Sequence, residues 1–120
     1  MENPKIKELI STIDKYIPEK EVNTILTALN FSKNAHNNQK RKSGEPFINH
    51  PIEVSKILAS IKLDSSSIVS GLLHDTIEDT EISIKDIDKN FGEEVASLVQ
   101  GLTKINHYSL KVNNLKFGEN

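Results

Sequence analysis

Apolar residues recur at the spacing of an α-helix through most of this 120-residue chain. The clearest stripe is Val95, Leu98, Val99, Leu102 and Ile105, which puts five large side chains on one helical face. No segment shows the strict apolar-polar alternation of a half-buried strand. The pattern therefore predicts an all-α fold, because a period of 3.6 residues gives a helix, and not a strand, one continuous apolar face.

Capping residues and prolines divide the chain into about six helices within a single domain over residues 1–120. The expected starts are Asn3-Pro4, Pro18, Pro51, Asp64 or a following serine, Ser83 with Asp86, and the residues after Phe91-Gly92. The expected buried positions are Val54, Ile57, Leu58 and Ile61 in the third helix, and Ile68, Val69, Leu72 and Leu73 in the fourth. Residues 37–49 are expected to form a loop, and about 107–120 an irregular tail.

The charge balance and the N-terminal sequence exclude several classes of protein. Fifteen basic and seventeen acidic residues give a net charge of -2, which argues against direct nucleic-acid binding. Cysteine is absent, so disulfides and thiolate metal sites are excluded. The first ten residues contain no continuous apolar run, so neither a secretion signal nor a membrane anchor is expected. A cytoplasmic protein without a membrane partner is the default prediction.

His50, His74 and Asp75 carry the side chains that a divalent ion such as Mn²⁺, Fe²⁺ or Zn²⁺ accepts as ligands. His74 and Asp75 are adjacent, and neighbours on a helix point about 100° apart, so they could share one ion most easily near a helix end. The polar stretch from Thr76 to Thr80 allows such an ending, and Glu78 and Asp79 would then lie in a loop after the helix. His50 precedes the third helix and could face them if the third and fourth helices are antiparallel. The alternative is an exposed helix end that carries His and Asp by chance.

Glu78 and Asp79 follow three and four residues after Asp75 and also allow two interpretations. Next to a bound metal ion, a pair of carboxylates could move protons during hydrolysis. Without a metal ion nearby, the pair would be a solvated acidic loop between the fourth and fifth helices.

The run Lys40-Arg41-Lys42, followed by Ser43 and Gly44, precedes His50 by eight residues. Arginine can bind a phosphate with two hydrogen bonds or stack on a base, and lysine adds a point charge. A short basic run is usually a solvated loop, but here it could form the rim of the same site. A metal site beside a basic rim favours a polyphosphate substrate.

Three segments taken together resemble the hydrolase domain of the RelA/SpoT alarmone enzymes: RKSGEPFINHP (41–51), GLLHDTIEDT (71–80) and FGEEVASLVQGLTKI (91–105). The order and spacing of the segments match over roughly residues 20 to 105. The resemblance implies an all-α HD-superfamily helical bundle that hydrolyses the guanine nucleotide (p)ppGpp to GDP or GTP and pyrophosphate, with Mn²⁺ as cofactor.

The resemblance also implies a role for each matching position. The metal ligands would be His50, His74 and Asp75, and the catalytic acidic pair would be Glu78 and Asp79. The side chains that contact the guanine and the phosphates would be Arg41, Lys42 and Ser43.

The family domain continues past the last residue of this sequence, and its later helices carry a fourth metal ligand, an aspartate in an ADRLHN-like motif that is not found here. The resemblance thus implies a C-terminally truncated, incomplete domain with weaker metal affinity. Uncovered apolar helix faces would favour a homo-oligomer or a complementing chain. Two alternatives stay open: a catalytically inactive remnant that binds a nucleotide or a protein, and an HD nucleotidase with another substrate.

Overall fold

Six helices form the part of the chain that the structure, a computed structural model, describes: residues 3–37 and 44–116, with side chains as far as residue 104. Their bounds are α1 Pro4–Ile13, α2 Glu19–Ala35, α3 Asn49–Ser60, α4 Ser65–Asp79, α5 Ile84–Phe91 and α6 Glu93–Lys116. No β-strand occurs within these ranges. The prediction of an all-α fold with about six helices is confirmed.

Side-chain caps begin three of the helices where the sequence predicts them. Asn3 accepts a hydrogen bond from the Lys5 backbone N–H at 2.9 Å, and Pro4 occupies the first turn of α1. Asp64 accepts from the Ser67 N–H at 3.0 Å at the start of α4. Ser83 and Asp86 form a capping box before α5. Each cap satisfies a backbone N–H that has no partner inside its helix, so these starts follow from local sequence.

Helix α4 lies at the centre of the core and packs against α2, α3 and α6. The side chains of Ile68, Val69, Leu72 and Leu73 are almost completely buried, as predicted. Burial of each such side chain contributes about 1.5–3 kcal/mol to folding. Contacts with three neighbouring helices hold α4 in place, so it can support any site that it carries.

The prediction for the buried face of α3 was wrong at two positions. Ile57 and Ile61 are each 64% exposed, whereas α3 buries Pro51, Ile52, Ser55 and Ala59. The buried face contains small residues, and the Ser55 hydroxyl donates to the Ile68 carbonyl of α4 at 3.3 Å. Small side chains let the two helices approach closely, so contact with α4, and not the largest apolar stripe, decides which face of α3 is inside.

The apolar stripe of α6 is also only partly buried. Val95 and Val99 lie in the core together with Ala96, but Leu98 and Leu102 are 39% and 36% exposed. The two leucines line an open groove of about 300 Å³ between α3, α4 and α6. The predicted stripe is therefore wider than the surface that α4 and α5 cover.

The prediction of an irregular tail from about residue 107 was wrong as far as residue 116, because α6 continues to Lys116. Residues 106–116 contain neither Gly nor Pro, and extending a formed helix requires only one further hydrogen bond per residue. Residues 117–120 lie outside the described part of the chain. In that part, none of the helices is both long enough and apolar enough to cross a membrane.

Lys62 adopts a left-handed conformation, with φ of 61°, at the end of α3. The Leu63 N–H donates to the Leu58 carbonyl and the Lys62 N–H to the Ala59 carbonyl, which together form a Schellman motif. Glycine adopts this conformation without the steric cost that a Cβ adds. We expect Lys62→Gly to raise the free energy of unfolding in urea by about 0.5–1 kcal/mol, after the greater freedom of glycine in the unfolded chain is subtracted.

The matched control for this variant is Lys62→Ala, which removes the charge and keeps the Cβ. If both variants unfold at the same urea concentration, the left-handed conformation of Lys62 carries no measurable strain.

Candidate metal centre

His74 is oriented by a hydrogen bond within α4. Its Nδ1 lies 2.8 Å from the Gly71 carbonyl oxygen, and because a carbonyl can only accept, Nδ1 carries the proton. In the neutral imidazole, Nε2 is then the nitrogen with the free lone pair, which is the form in which imidazole binds metals. A hydrogen bond from the second ring nitrogen is the usual way that proteins fix a metal-binding histidine.

His50 of α3 and the adjacent pair on α4 converge at one point. His74 Nε2 lies 3.1 Å from Asp75 Oδ1, and His50 Nε2 lies 3.7 Å from Asp75 Oδ2. One ligand atom from each of the three residues lies within 4.8 Å of the others. Ligands held about 2.1 Å from one ion are separated by about 3.0–3.4 Å, so small side-chain rotations bring these three residues to metal-binding geometry.

The carboxylate of Asp75 supports the same interpretation. Its side chain is 14% exposed. Among the residues that the structure describes, none donates a hydrogen bond to its buried Oδ2. A buried carboxylate oxygen without a hydrogen bond is costly, and a cation would offset this cost. The residues therefore fit a divalent ion, and the structure brings together the three ligands that the sequence predicts.

The site lies inside α4 and not at its end, so the predicted ending after His74-Asp75 was wrong. Thr76 is completely buried, and its hydroxyl donates to the Leu73 carbonyl at 2.6 Å. The helix therefore accommodates this polar residue and continues to Asp79. Glu78 and Asp79 lie on its last turn, not in a loop as predicted. Both are exposed and lie on the same side of the helix as Asp75, three and four residues further on.

The last turn of α4 is an unfavourable place for two carboxylates. A helix C-terminus carries partial negative charge, which favours basic side chains, but no basic residue lies in this turn. Asp79 also lines an open cavity of about 500 Å³ with Ala35, Thr80, Glu81 and Ile82. An acidic helix end beside a cavity suits a cationic ligand, or an anion that arrives together with metal ions.

The predicted nucleotide contacts, Arg41, Lys42 and Ser43, lie outside the described residues. On the near side of this segment, His36 ends α2, and on the far side Phe47 precedes α3. The two rings stack with centroids 4.5 Å apart, and His36 is buried. His36 thus contributes to packing, against a ring eleven residues further along the chain.

Gly71 supports the site in a way that sequence reasoning missed. A Cβ at this position would lie 2.9 Å from Leu58 Cδ1 and 3.3 Å from Ser55 Oγ, both on α3. The absence of a side chain therefore lets α3 approach α4 closely, three residues before His74. This close approach brings His50 within reach of Asp75.

We expect Gly71→Val to lower the free energy of unfolding by about 1–3 kcal/mol, because its branched side chain would push α3 away from α4. Gly71→Ala should be nearly neutral, since the end of Leu58 can move and alanine favours the helix by about 1 kcal/mol. Urea denaturation and Mn²⁺ titration of both variants test the expectation. Equal stability of the valine and alanine variants would contradict it.

Comparisons with known proteins agree with this fold. Residues 28–115 match the HD domain family. A GTP pyrophosphokinase of Myxococcus xanthus is 48% identical over 98 residues, which cover 82% of this chain and 13% of that protein. The bifunctional (p)ppGpp synthase/hydrolase SpoT of Escherichia coli K12 is 41% identical over 99 residues, 82% of this chain and 14% of that protein. The chain thus spans about one seventh of the length of these relatives.

A solved structure also resembles the chain. It belongs to a metazoan ortholog of SpoT described as hydrolysing ppGpp, with a TM-score of 0.62 and 33% identity, and the match covers 69% of this chain and 47% of that one. The family match runs from within α2 almost to the end of α6 and includes His50, His74 and Asp75. The chain therefore belongs to the HD domain family, and within it to the RelA/SpoT proteins.

Proposed function

We propose that this chain is a metal-dependent pyrophosphohydrolase that removes the 3′-pyrophosphate from (p)ppGpp. The observation that carries the proposal is the convergence of His50, His74 and Asp75, with Glu78 and Asp79 one turn further along α4. The relative named a (p)ppGpp synthase/hydrolase and the metazoan protein described as hydrolysing ppGpp support this choice of substrate. The proposal concerns hydrolysis alone, the reaction that a metal centre with an acidic pair can perform.

The ion that we propose for this centre is Mn²⁺, held by the two imidazoles and the carboxylate of Asp75. This mixed nitrogen and oxygen ligand set suits Mn²⁺. When bound, the ion would supply Lewis-acid polarisation of a phosphoryl oxygen and would lower the pKa of water. Asp75 would contribute the negative charge of the ligand set, and the hydrogen bond to Gly71 would keep His74 in the correct tautomer.

Glu78 and Asp79 are the proposed acid-base pair. Water would form a bond to the phosphorus attached to ribose O3′, and the bond between that phosphorus and O3′ would break. One carboxylate would accept a proton from the attacking water, and the other would deliver a proton to O3′, so that the products are GDP or GTP and pyrophosphate. Their exposed position on the last turn of α4 leaves room for a substrate between them and solvent.

The substrate carries several negative charges, which the carboxylates of Asp75, Glu78 and Asp79 would repel. We propose that Arg41, Lys42 and Ser43 contact its guanine and phosphates and offset this repulsion. The stack of His36 on Phe47 supports the proposal, because it joins the two chain ends that flank this segment. Metal ions and basic side chains together would attract a polyphosphate to an otherwise acidic helix end.

The test is to incubate the purified chain and Mn²⁺ with ppGpp that carries ³²P in the terminal phosphate of its 3′-pyrophosphate. We expect the wild-type protein to release labelled pyrophosphate and GDP in equal amounts, and Asp75→Ala to release neither. Equal release by both proteins would contradict the proposal. If GTP or ATP, supplied in place of ppGpp, is hydrolysed faster, the chain is a nucleotidase with another substrate. If the chain binds Mn²⁺ but hydrolyses none of these nucleotides, it is a binding module.

A further inference from the structure

The two histidines of the metal centre are supported in different ways. His74 is fixed by the hydrogen bond from its ring to Gly71. Within the described part of the chain, the His50 ring lies beside two other members of the metal centre, with its Nε2 3.7 Å from Asp75 Oδ2 and its centroid 6.3 Å from that of the His74 ring. His50 is therefore held in place by the backbone of α3, and its position depends on what fixes the first turn of that helix.

The first turn of α3 has no side-chain cap. Ile48 occupies the N-cap position and makes no capping hydrogen bond. The N–H groups of Asn49 and His50 donate instead to the carbonyls of Pro46 and Phe47, at 3.2 and 3.1 Å. Helix ends without a cap fray easily, so another interaction must hold this turn if His50 is to stay near Asp75.

Asn49 supplies such an interaction through both ends of its side-chain amide. Its Oδ1 accepts from Asn3 Nδ2 at 2.8 Å, and its Nδ2 donates to Glu45 Oε2 at 3.0 Å. Asn49 is only 9% exposed. Asn3 is fixed in turn, because its own Oδ1 caps α1. The amide therefore ties the turn before α3 to the start of α1, next to a residue that we propose as a metal ligand.

We propose that Asn49 is the positioning residue for His50, and that the Asn3–Asn49–Glu45 hydrogen bonds extend the support of the metal centre to the N-terminus of α1. The proposal rests on the metal-binding role proposed for His50. Substitutions of residues that orient metal ligands typically lower metal affinity by about 10- to 100-fold. These hydrogen bonds act on only one ligand, and they act through the backbone. We therefore expect Mn²⁺ affinity to fall by an amount near the lower end of this range, about 10-fold.

Three variants separate positioning from simple loss of stability. Asn49→Ala removes both bonds. Asn49→Asp can still accept a hydrogen bond from Asn3, but its carboxylate repels that of Glu45. In the double variant Asn49→Asp with Glu45→Gln, the hydrogen bond between the two positions is restored in the reverse direction, because the glutamine amide donates and the aspartate accepts. The matched control is Ile87→Val, which removes one methylene from a fully buried side chain of α5 and therefore lowers stability without changing the hydrogen bonds of Asn49.

The measurements are the Mn²⁺ dissociation constant by electron paramagnetic resonance, the ring ¹⁵N and ¹H shifts of His50 in the metal-free protein, and urea stability. We expect Asn49→Ala and Asn49→Asp to raise the dissociation constant about 10-fold and to shift the His50 signals, and the double variant to recover most of both. An added carboxylate by itself attracts a cation, so weaker Mn²⁺ binding by Asn49→Asp would mean that the His50 ring is no longer held in position.

Two results would overturn the proposal. One is that the Asn49 variants lose stability but bind Mn²⁺ as Ile87→Val does. The other is that their His50 signals match those of the wild-type protein. If the wild-type protein binds no Mn²⁺, the proposed function fails, but the His50 shifts in the metal-free protein still decide whether Asn49 positions that ring.

Discussion

Replacing Asp75 by alanine is expected to have opposite effects on metal binding and on stability. Mn²⁺ affinity should fall by more than about 100-fold, because the variant loses a ligand and not only a residue that orients one. Stability of the metal-free protein should rise by about 1–3 kcal/mol, because the variant removes a buried carboxylate oxygen that has no hydrogen-bond donor among the described residues. Mn²⁺ titration and urea denaturation in the presence of EDTA measure the two effects.

The control for this prediction is Asp88→Ala, which removes an exposed carboxylate from α5 and should change neither quantity. The stability measurement separates two roles for Asp75. If it were a structural partner of charged His50 and His74, alanine would leave both histidines without their partner and would destabilise the metal-free protein. A clear loss of stability in EDTA would therefore contradict the assignment of Asp75 as a metal ligand.

Local chemistry explains which parts of this fold are predictable from sequence. Asn3, Asp64 and Ser83 satisfy backbone N–H groups within three residues of their own positions, so no knowledge of the tertiary structure is needed to place those helix starts. The core stripe of α4 is equally clear, because this helix is covered on several sides and every apolar position on it has a neighbour.

The parts that could not be predicted depend on neighbouring helices. The exposure of Ile57 and Ile61 reflects how closely Gly71 lets α3 approach α4, and neither residue is near Gly71 in sequence. The prediction that Glu78 lies in a loop was wrong for a different reason. Thr76 was expected to allow a helix end, but its hydroxyl donates a hydrogen bond to the Leu73 carbonyl inside the core, and the helix continues. A polar residue ends a helix only when its hydrogen bonds are better made outside it.

The convergence of His50 with His74 and Asp75 was only partly predictable. The sequence supplies the ligand types, and its resemblance to RelA/SpoT hydrolases supplies their grouping. The physical reason for the grouping, the packing of the first turn of α3 against the middle of α4, is visible only in three dimensions. The supporting residues Asn49 and Gly71 carry no chemical signature of a metal site, so composition and spacing could not identify them.

The second large effect is expected at the acidic pair. We predict that Glu78→Gln and Asp79→Asn will each lower kcat for ppGpp hydrolysis by about 10²- to 10⁴-fold, the usual contribution of general acid-base catalysis. Mn²⁺ affinity should stay within a few-fold of the wild-type value, because neither residue belongs to the group of described residues that could share an ion. Single-turnover kinetics at saturating Mn²⁺, together with metal titration, separate the two quantities.

Glu81→Gln is the matched control, since it neutralises an exposed carboxylate that lines the same cavity as Asp79 but lies beyond the end of α4. Glu81→Gln should leave kcat unchanged, because Glu81 lies two residues beyond the end of α4 and is therefore not on the helix face that carries Asp75. A fall in Mn²⁺ affinity parallel to the fall in kcat would make Glu78 or Asp79 a ligand and not an acid-base group. Comparing the loss of Mn²⁺ affinity with the loss of kcat thus assigns a role to each carboxylate on α4. Substitution of Asp75 should lower Mn²⁺ affinity, whereas substitution of Glu78 or Asp79 should lower kcat alone.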